Sequence, residues 1–224
     1  LMALDATLPN DTVARIVERA DGVPLFIEEI VTSIGAASNA TIPATLQDLL
    51  ATRVDNLGRA KGTAQLAACI GREFDLQLLQ AASTLTGQEI DEHLTLLFET
   101  GLLTELGQTT AQFKHALIQD VCYQSQTRAD RRAAHQRIAQ ALLTEFPELV
   151  ATRPELVARH CFAGGEIARA AEYWAMAGRR DVATGANTEA IEHLNAALDA
   201  LHTLPADGTY TRLETMLYLN LGAA

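Results

Sequence analysis

Cysteine, proline, lysine and aromatic residues are all scarce in this sequence. Cysteine occurs 3 times in 224 residues, at Cys69, Cys122 and Cys161. Three well-separated thiols argue against a disulfide framework and for a reducing compartment, so the expected location is cytoplasmic, with the thiols as small buried apolar residues. Aromatics make up 5% and there are 6 prolines, which argues against a β-sandwich. No apolar run approaches the roughly 20 residues that cross a bilayer, and residues 1–21 lack a basic segment followed by a continuous apolar one. Neither a membrane span nor a secretory leader is expected. Positive charge is also sparse: the formal net charge is −11 and the isoelectric point about 4.9. That balance argues against a surface made for phosphate backbones, because cationic neutralisation dominates nucleic-acid affinity.

What is present points to a folded helical chain. Hydrophobic residues are 48% and charged residues 20%, with a mean hydropathy of +0.06, far from the composition of disorder. The length suffices for one large or two small domains. The sequence opens with Leu1 rather than Met and stops at Ala224 inside a helical pattern, so it is expected to be a piece of a longer polypeptide.

Helical spacing recurs along the chain. Asn10 and Asp11 can cap a short helix with Val13, Ile16, Val17 and Ala20 on one face, ended by Gly22. Pro24 suits the first turn of a second helix carrying Leu25, Phe26, Ile30, Val31 and Ile34. Beyond Pro43, Leu46, Leu49, Leu50, Val54 and Leu57 share a face, and Arg59 to Ile70 forms a further segment ended by Gly71. Asp75 can cap a helix running to Ala82, and a longer helix follows Gly87 with Ile90, Leu94, Leu97 and Phe98 aligned. The period then changes. Leu102 to Leu106 and Thr110 to Lys114 read as a hairpin with Gly107 in its turn. Short helices followed by a hairpin is the element order of a winged helix.

Helical spacing returns at Leu117, Ile118, Val121 and Cys122, then from Arg128 to Phe146, and Pro147 and Pro154 bracket an expected break. Between Ala171 and His202, Trp174, Gly178, Gly185, Ala190 and Ala197 fall at the spacing of a tetratricopeptide unit. The helix from Glu166 to Ala183 is expected to serve two overlapping helix pairs, and Thr211 to Leu221 reads as the first half of another. The expected fold is mainly α: residues 1–40 the C-terminal part of a helical lid, 41–128 a winged helix with a leading helix, 129–153 a connecting helix, and 154–224 a tetratricopeptide-like array.

Four segments in this order carry a resemblance that covers nearly the whole chain: Gly22 to Glu29, Ile42 to Gln47, Ile70 to Phe74, and Phe113 to Asp120. They resemble the region downstream of the nucleotide core in bacterial signal-transduction ATPases with numerous domains, including those fused to class III adenylate cyclases or transcriptional activators. The resemblance implies that Gly22 and Pro24 belong to a lid packing on the adenine; a pair that merely ends one helix and begins the next reads equally well. The run at His115 resembles the Met-His-Asp motif of related resistance and apoptosis ATPases, whose histidine approaches the ADP phosphate, as an imidazole donor can. Here Phe113-Lys114 precede it and Ala116 replaces the acid. A histidine capping a helix start is the alternative.

Other chemistry finds little support. Lys61 and Lys114 are followed by Gly62 and His115, so there is no P-loop, and no apolar strand ends in paired acids. The chain itself is expected to be no enzyme and to need no cofactor or metal; ATP or ADP with Mg belongs to the parent alone. His160 and Cys161 project about 100° apart on a helix, which suits one exposed and one buried residue better than a metal site. Glu28 and Glu29 are likewise adjacent and make a poor acid-base pair. Arg128, Arg131, Arg132, His135 and Arg137 form the most basic patch. A solvated face, a contact with other domains of the parent and a contact with a DNA backbone all remain open for it. DNA is disfavoured because Glu89, Asp91, Glu92 and Glu99 crowd the expected recognition helix.

The functional expectation is therefore a regulatory, protein-interaction segment of a multidomain signal-transduction ATPase, with a protein or peptide bound on its helical repeats and no membrane partner. The alternative is a free-standing winged-helix transcription regulator. For that reading, salt-dependent DNA binding would be lost on replacing Arg131 and Arg132.

Overall fold

Side-chain caps start several of the helices. In the computed structural model, which describes residues 45–205 and 208–224, Thr45 accepts from the Asp48 amide at 3.1 Å and opens α1 (Leu46–Asp55). A short 3-10 turn leads into α2 (Lys61–Ile70). Strand β1 (Glu73–Asp75) ends on Asp75, whose carboxylate accepts from the Gln77 and Leu78 amides at 2.7 and 3.1 Å and opens α3 (Leu76–Ala82). Thr86 and Glu89 form a reciprocal capping box for α4 (Gly87–Glu99). Strands β2 (Leu103–Glu105) and β3 (Thr110–Phe113) follow, then α5 (Ala116–Gln124). Thr127 caps α6 (Arg128–Glu145) by accepting from the Asp130 amide at 3.1 Å.

The expected break between Pro147 and Pro154 is instead a short helix, α7 (Pro147–Thr152), with α8 (Pro154–Ala163) directly after it. Both prolines sit at the first helical position, where a missing N–H costs nothing, so each begins a helix rather than ending one. Three longer helices complete the described chain: α9 (Ile167–Thr184), α10 (Asn187–His202) and α11 (Thr211–Leu221). The fold is mainly helical with a small antiparallel sheet.

That sheet has three strands in the order β1-β3-β2. Leu103 opposes Phe113 on one edge of β3, and Glu73 opposes Gln112 on the other. Strand alternation turns Ala111 and Phe113 inward, and the Phe113 ring meets Phe74 at a centroid distance of 5.9 Å. One cluster of buried side chains runs from Leu50 to Ala170, so the divisions expected at 128 and 153 are bridged by continuous packing. Helix α6 lies within it through Ile138 and Leu142. A second cluster joins α9, α10 and α11 around Leu194, Leu198 and Leu217.

Helix α9 packs against both α8 and α10, as the overlapping pairs require. The approach to α10 is close: a Cβ on Gly178 would lie 2.5 Å from Leu194 Cγ. No helix among the described residues is long and apolar enough to cross a membrane. All three cysteines are free and buried, and burial pushes the Cys122 thiol up to about 12 and Cys161 up to about 11. They pack as neutral apolar groups.

Candidate functional site

The basic residues of α6 divide between two faces. Positions 128, 131, 132 and 135 follow helical spacing, whereas residue 137 lies about 180° around the axis from residue 128. Accordingly Arg128, Arg131, Arg132 and His135 line a solvent-open cavity of about 550 Å3, bordered on its far side by Phe162 and Gly165 at the end of α8. Arg137 lines a separate groove with Arg59, Glu89 and His93. The five-residue patch expected from sequence is thus one cluster of three arginines around a histidine, without Arg137.

Each wall of the cavity is anchored from behind. Arg132 Nε donates to the Gly164 carbonyl at 2.9 Å, beside Gln136 Nε2 donating to the same oxygen at 2.8 Å. Gly165 has φ +77° and carries no Cβ, which would otherwise stand 2.5 Å from the Arg132 guanidinium. Arg131 lies over the Tyr123 ring with its guanidinium carbon 5.1 Å from the centroid. The Tyr123 hydroxyl contacts His135 Nε2 at 3.1 Å, and His135 Nδ1 meets His160 Nδ1 at 2.9 Å. Among the described residues no carboxylate pairs with Arg128, Arg131 or Arg132; the adjacent Glu166 pairs with Arg169 at 2.7 Å.

The two histidines form a buried pair that sequence spacing does not reveal. Adjacent His160 and Cys161 read as one exposed and one buried residue; both are buried, because His160 turns inward to His135. One ring must donate from Nδ1 and the other must accept there, so at least one of the two imidazoles is neutral. Burial pushes His160 down to about 3, helped by His135 and Arg159, and lowers His135 in the same way beside Arg159 and Arg131. The folded state therefore binds fewer protons than the unfolded one below about pH 6.5, and stability falls as pH falls through that window. His160 contributes up to about 1.4 kcal/mol per pH unit between the unfolded value and its lowered folded one, and His135 adds in the same direction. The urea midpoint is expected to drop from pH 7 to about pH 5, and His160→Leu to flatten that slope; a slope identical in the variant would refute the assignment.

His115 occupies the N-cap of α5, where its carbonyl accepts from the Ile118 amide at 3.0 Å. The capping is by backbone, and the half-buried imidazole stands where β3 passes into α5. It is not part of the arginine cavity. Gly22, Pro24, Glu28 and Glu29 lie outside the described residues. On α4, Glu89, Asp91, Glu92 and Glu99 are all exposed. No group of three or more His, Cys, Asp or Glu side chains among the described residues is placed to hold a metal ion.

A third polar cluster, unforeseen from the sequence, sits between the helix pairs. Asp181 is 3% exposed and accepts from Arg180 Nε at 2.9 Å and from a terminal Arg180 nitrogen at 2.5 Å, while its other oxygen meets His193 Nδ1 at 2.7 Å. Arg180 also reaches Glu155 at 3.4 Å and the Thr152 carbonyl. The cluster pins the end of α7 and the helices α8, α9 and α10 together.

No protein-family model and no solved structure matches the chain. A curated relative, the uncharacterized protein R02095 of Rhizobium meliloti (strain 1021), is 28% identical over 97% of this chain. The chain spans 22% of the length of that relative.

Proposed function

We propose that this chain is a regulatory and protein-interaction segment of a longer signal-transduction ATPase, acting on an effector domain elsewhere in the parent. The observation that carries the reading is the order of elements: helix, strand, two helices, then two strands that place β3 between β1 and β2. That order suits a winged helix, and the helix pairs after it, closed by Gly178 and alanines, suit a tetratricopeptide-like array. A relative several times longer than this chain is in keeping with a segment.

In this reading the winged helix and the lid hold ADP, with Mg, against a nucleotide core in the parent, and His115 reaches the phosphate from the junction of β3 and α5. A protein or peptide bound on the helical array shifts the population toward an open, exchanging state. Solenoid faces suit such a partner better than a metabolite. Replacing His115 with Ala in the parent is expected to speed release of bound ADP several-fold. Release at the unaltered rate would remove His115 from the mechanism.

A further inference from the structure

The arginine cavity carries a second proposal, independent of the ATPase reading. We propose that the cavity between α5, α6 and the α8–α9 turn is a binding site for a small phosphate ester, its phosphate held by Arg128, Arg131 and Arg132 and its apolar part resting on Phe162.

Three features support it. In a chain of net charge −11, three guanidinium groups line one cavity with no carboxylate paired to them among the described residues. Water screens the repulsion among these exposed or half-buried groups, and their shared positive field attracts an anion. The donors are also unspent. Of the five N–H groups on Arg132 only the one on Nε is used, and Arg131 is placed by stacking rather than by hydrogen bonds.

The second feature is preorganisation. Arg132 is fixed by the Gly164 carbonyl and Arg131 by the Tyr123 ring, which is itself held through His135 to His160. Groups held in place before binding lose less entropy when the ligand arrives. Guanidinium groups match the oxygens of a phosphate bidentately, and a monoester brings three acceptor oxygens with nearly two negative charges.

The third is size and wall chemistry. About 550 Å3 is far more than a bare phosphate requires, and the site is open to solvent, leaving room for the remainder of an ester. Phe162 is 45% exposed, offering apolar surface for the rest of the ester.

The chain contains its own reporter. Its single tryptophan, Trp174, packs against Phe162 with ring centroids 5.3 Å apart. Titrating the 224-residue chain with phenyl phosphate is expected to change Trp174 emission saturably, with matching heat in calorimetry. Inorganic phosphate should bind more weakly, and sodium chloride of equal ionic strength should give no saturable change. The double variant Arg128→Gln, Arg131→Gln should raise the phenyl phosphate midpoint about tenfold or more. Arg137→Gln, on the other face of α6, should leave it in place. Both variants alter exposed or half-buried side chains, and an unchanged circular dichroism spectrum reports that they fold. The proposal is overturned by the absence of saturable binding in both measurements, by an equal loss in Arg137→Gln, or by saturable binding of a DNA duplex with none of the small esters.

Discussion

Replacing Gly178 with Val is expected to cost about 3 kcal/mol of folding stability, the upper end of ordinary overpacking penalties. On helix propensity alone the opposite sign would be expected, since glycine inside a helix is about 1 kcal/mol worse than alanine. Packing decides the sign. A Cβ at this position would lie 2.5 Å from Leu194 Cγ, 2.7 Å from Leu194 Cδ2 and 3.4 Å from the Ala190 carbonyl. Leu194 is fully buried, so its side chain has nowhere to withdraw, and α9 and α10 would have to part. The added branch of valine deepens the clash, whereas Gly178→Ala sets about 1 kcal/mol of propensity gain against a smaller one. A double-mutant cycle with Leu194→Ala, read by urea denaturation, is expected to show a favourable coupling of at least about 1 kcal/mol. Strict additivity would mean that the two helices do not meet through this pair.

Arg180→Ala is the second change with a large expected effect, also about 3 kcal/mol, the lower end of the range for breaking a buried ion pair. The lower end applies because the Arg180 side chain is 35% exposed, so water already screens one member, while the Asp181 carboxylate is buried. Removing the guanidinium leaves that buried carboxylate with His193 as its remaining side-chain partner. In an Asp181→Leu background the same Arg180→Ala change should cost little, because no buried charge is then stranded. Comparing the two backgrounds by thermal denaturation separates charge burial from loss of the arginine's apolar stem. Equal costs in both would contradict the role given to Asp181.

How much of this was legible in the sequence depended on the range of the interaction. Helices α1 to α6 follow from apolar spacing and from caps such as Asp75 that act within three or four residues, and the β2–β3 hairpin from the change of period around Gly107. Strand β1 escaped because Glu73-Phe74-Asp75 is too short for alternation to register; its pairing is decided by β3, nearly forty residues away. Helix α7 escaped because proline reads as a breaker when it is also a good first residue. At the candidate site, periodicity could have excluded Arg137, which falls on the far side of α6 from Arg128. The contact of His135 with His160, and the burial of Asp181 between Arg180 and His193, are set by tertiary packing across gaps of 25 and 12 residues. Nothing in the local sequence marks those partners.

The most direct test of the regulatory reading is the rate of ADP release from the parent, measured with the helical array intact and with residues 187–224, which lie outside the Leu50–Ala170 cluster, removed. If the array governs the closed state, its truncation changes the rate several-fold, and His115→Ala changes it in a chain that still carries the array. An identical rate in the intact, shortened and His115→Ala proteins would contradict the account and leave the segment without a part in nucleotide control.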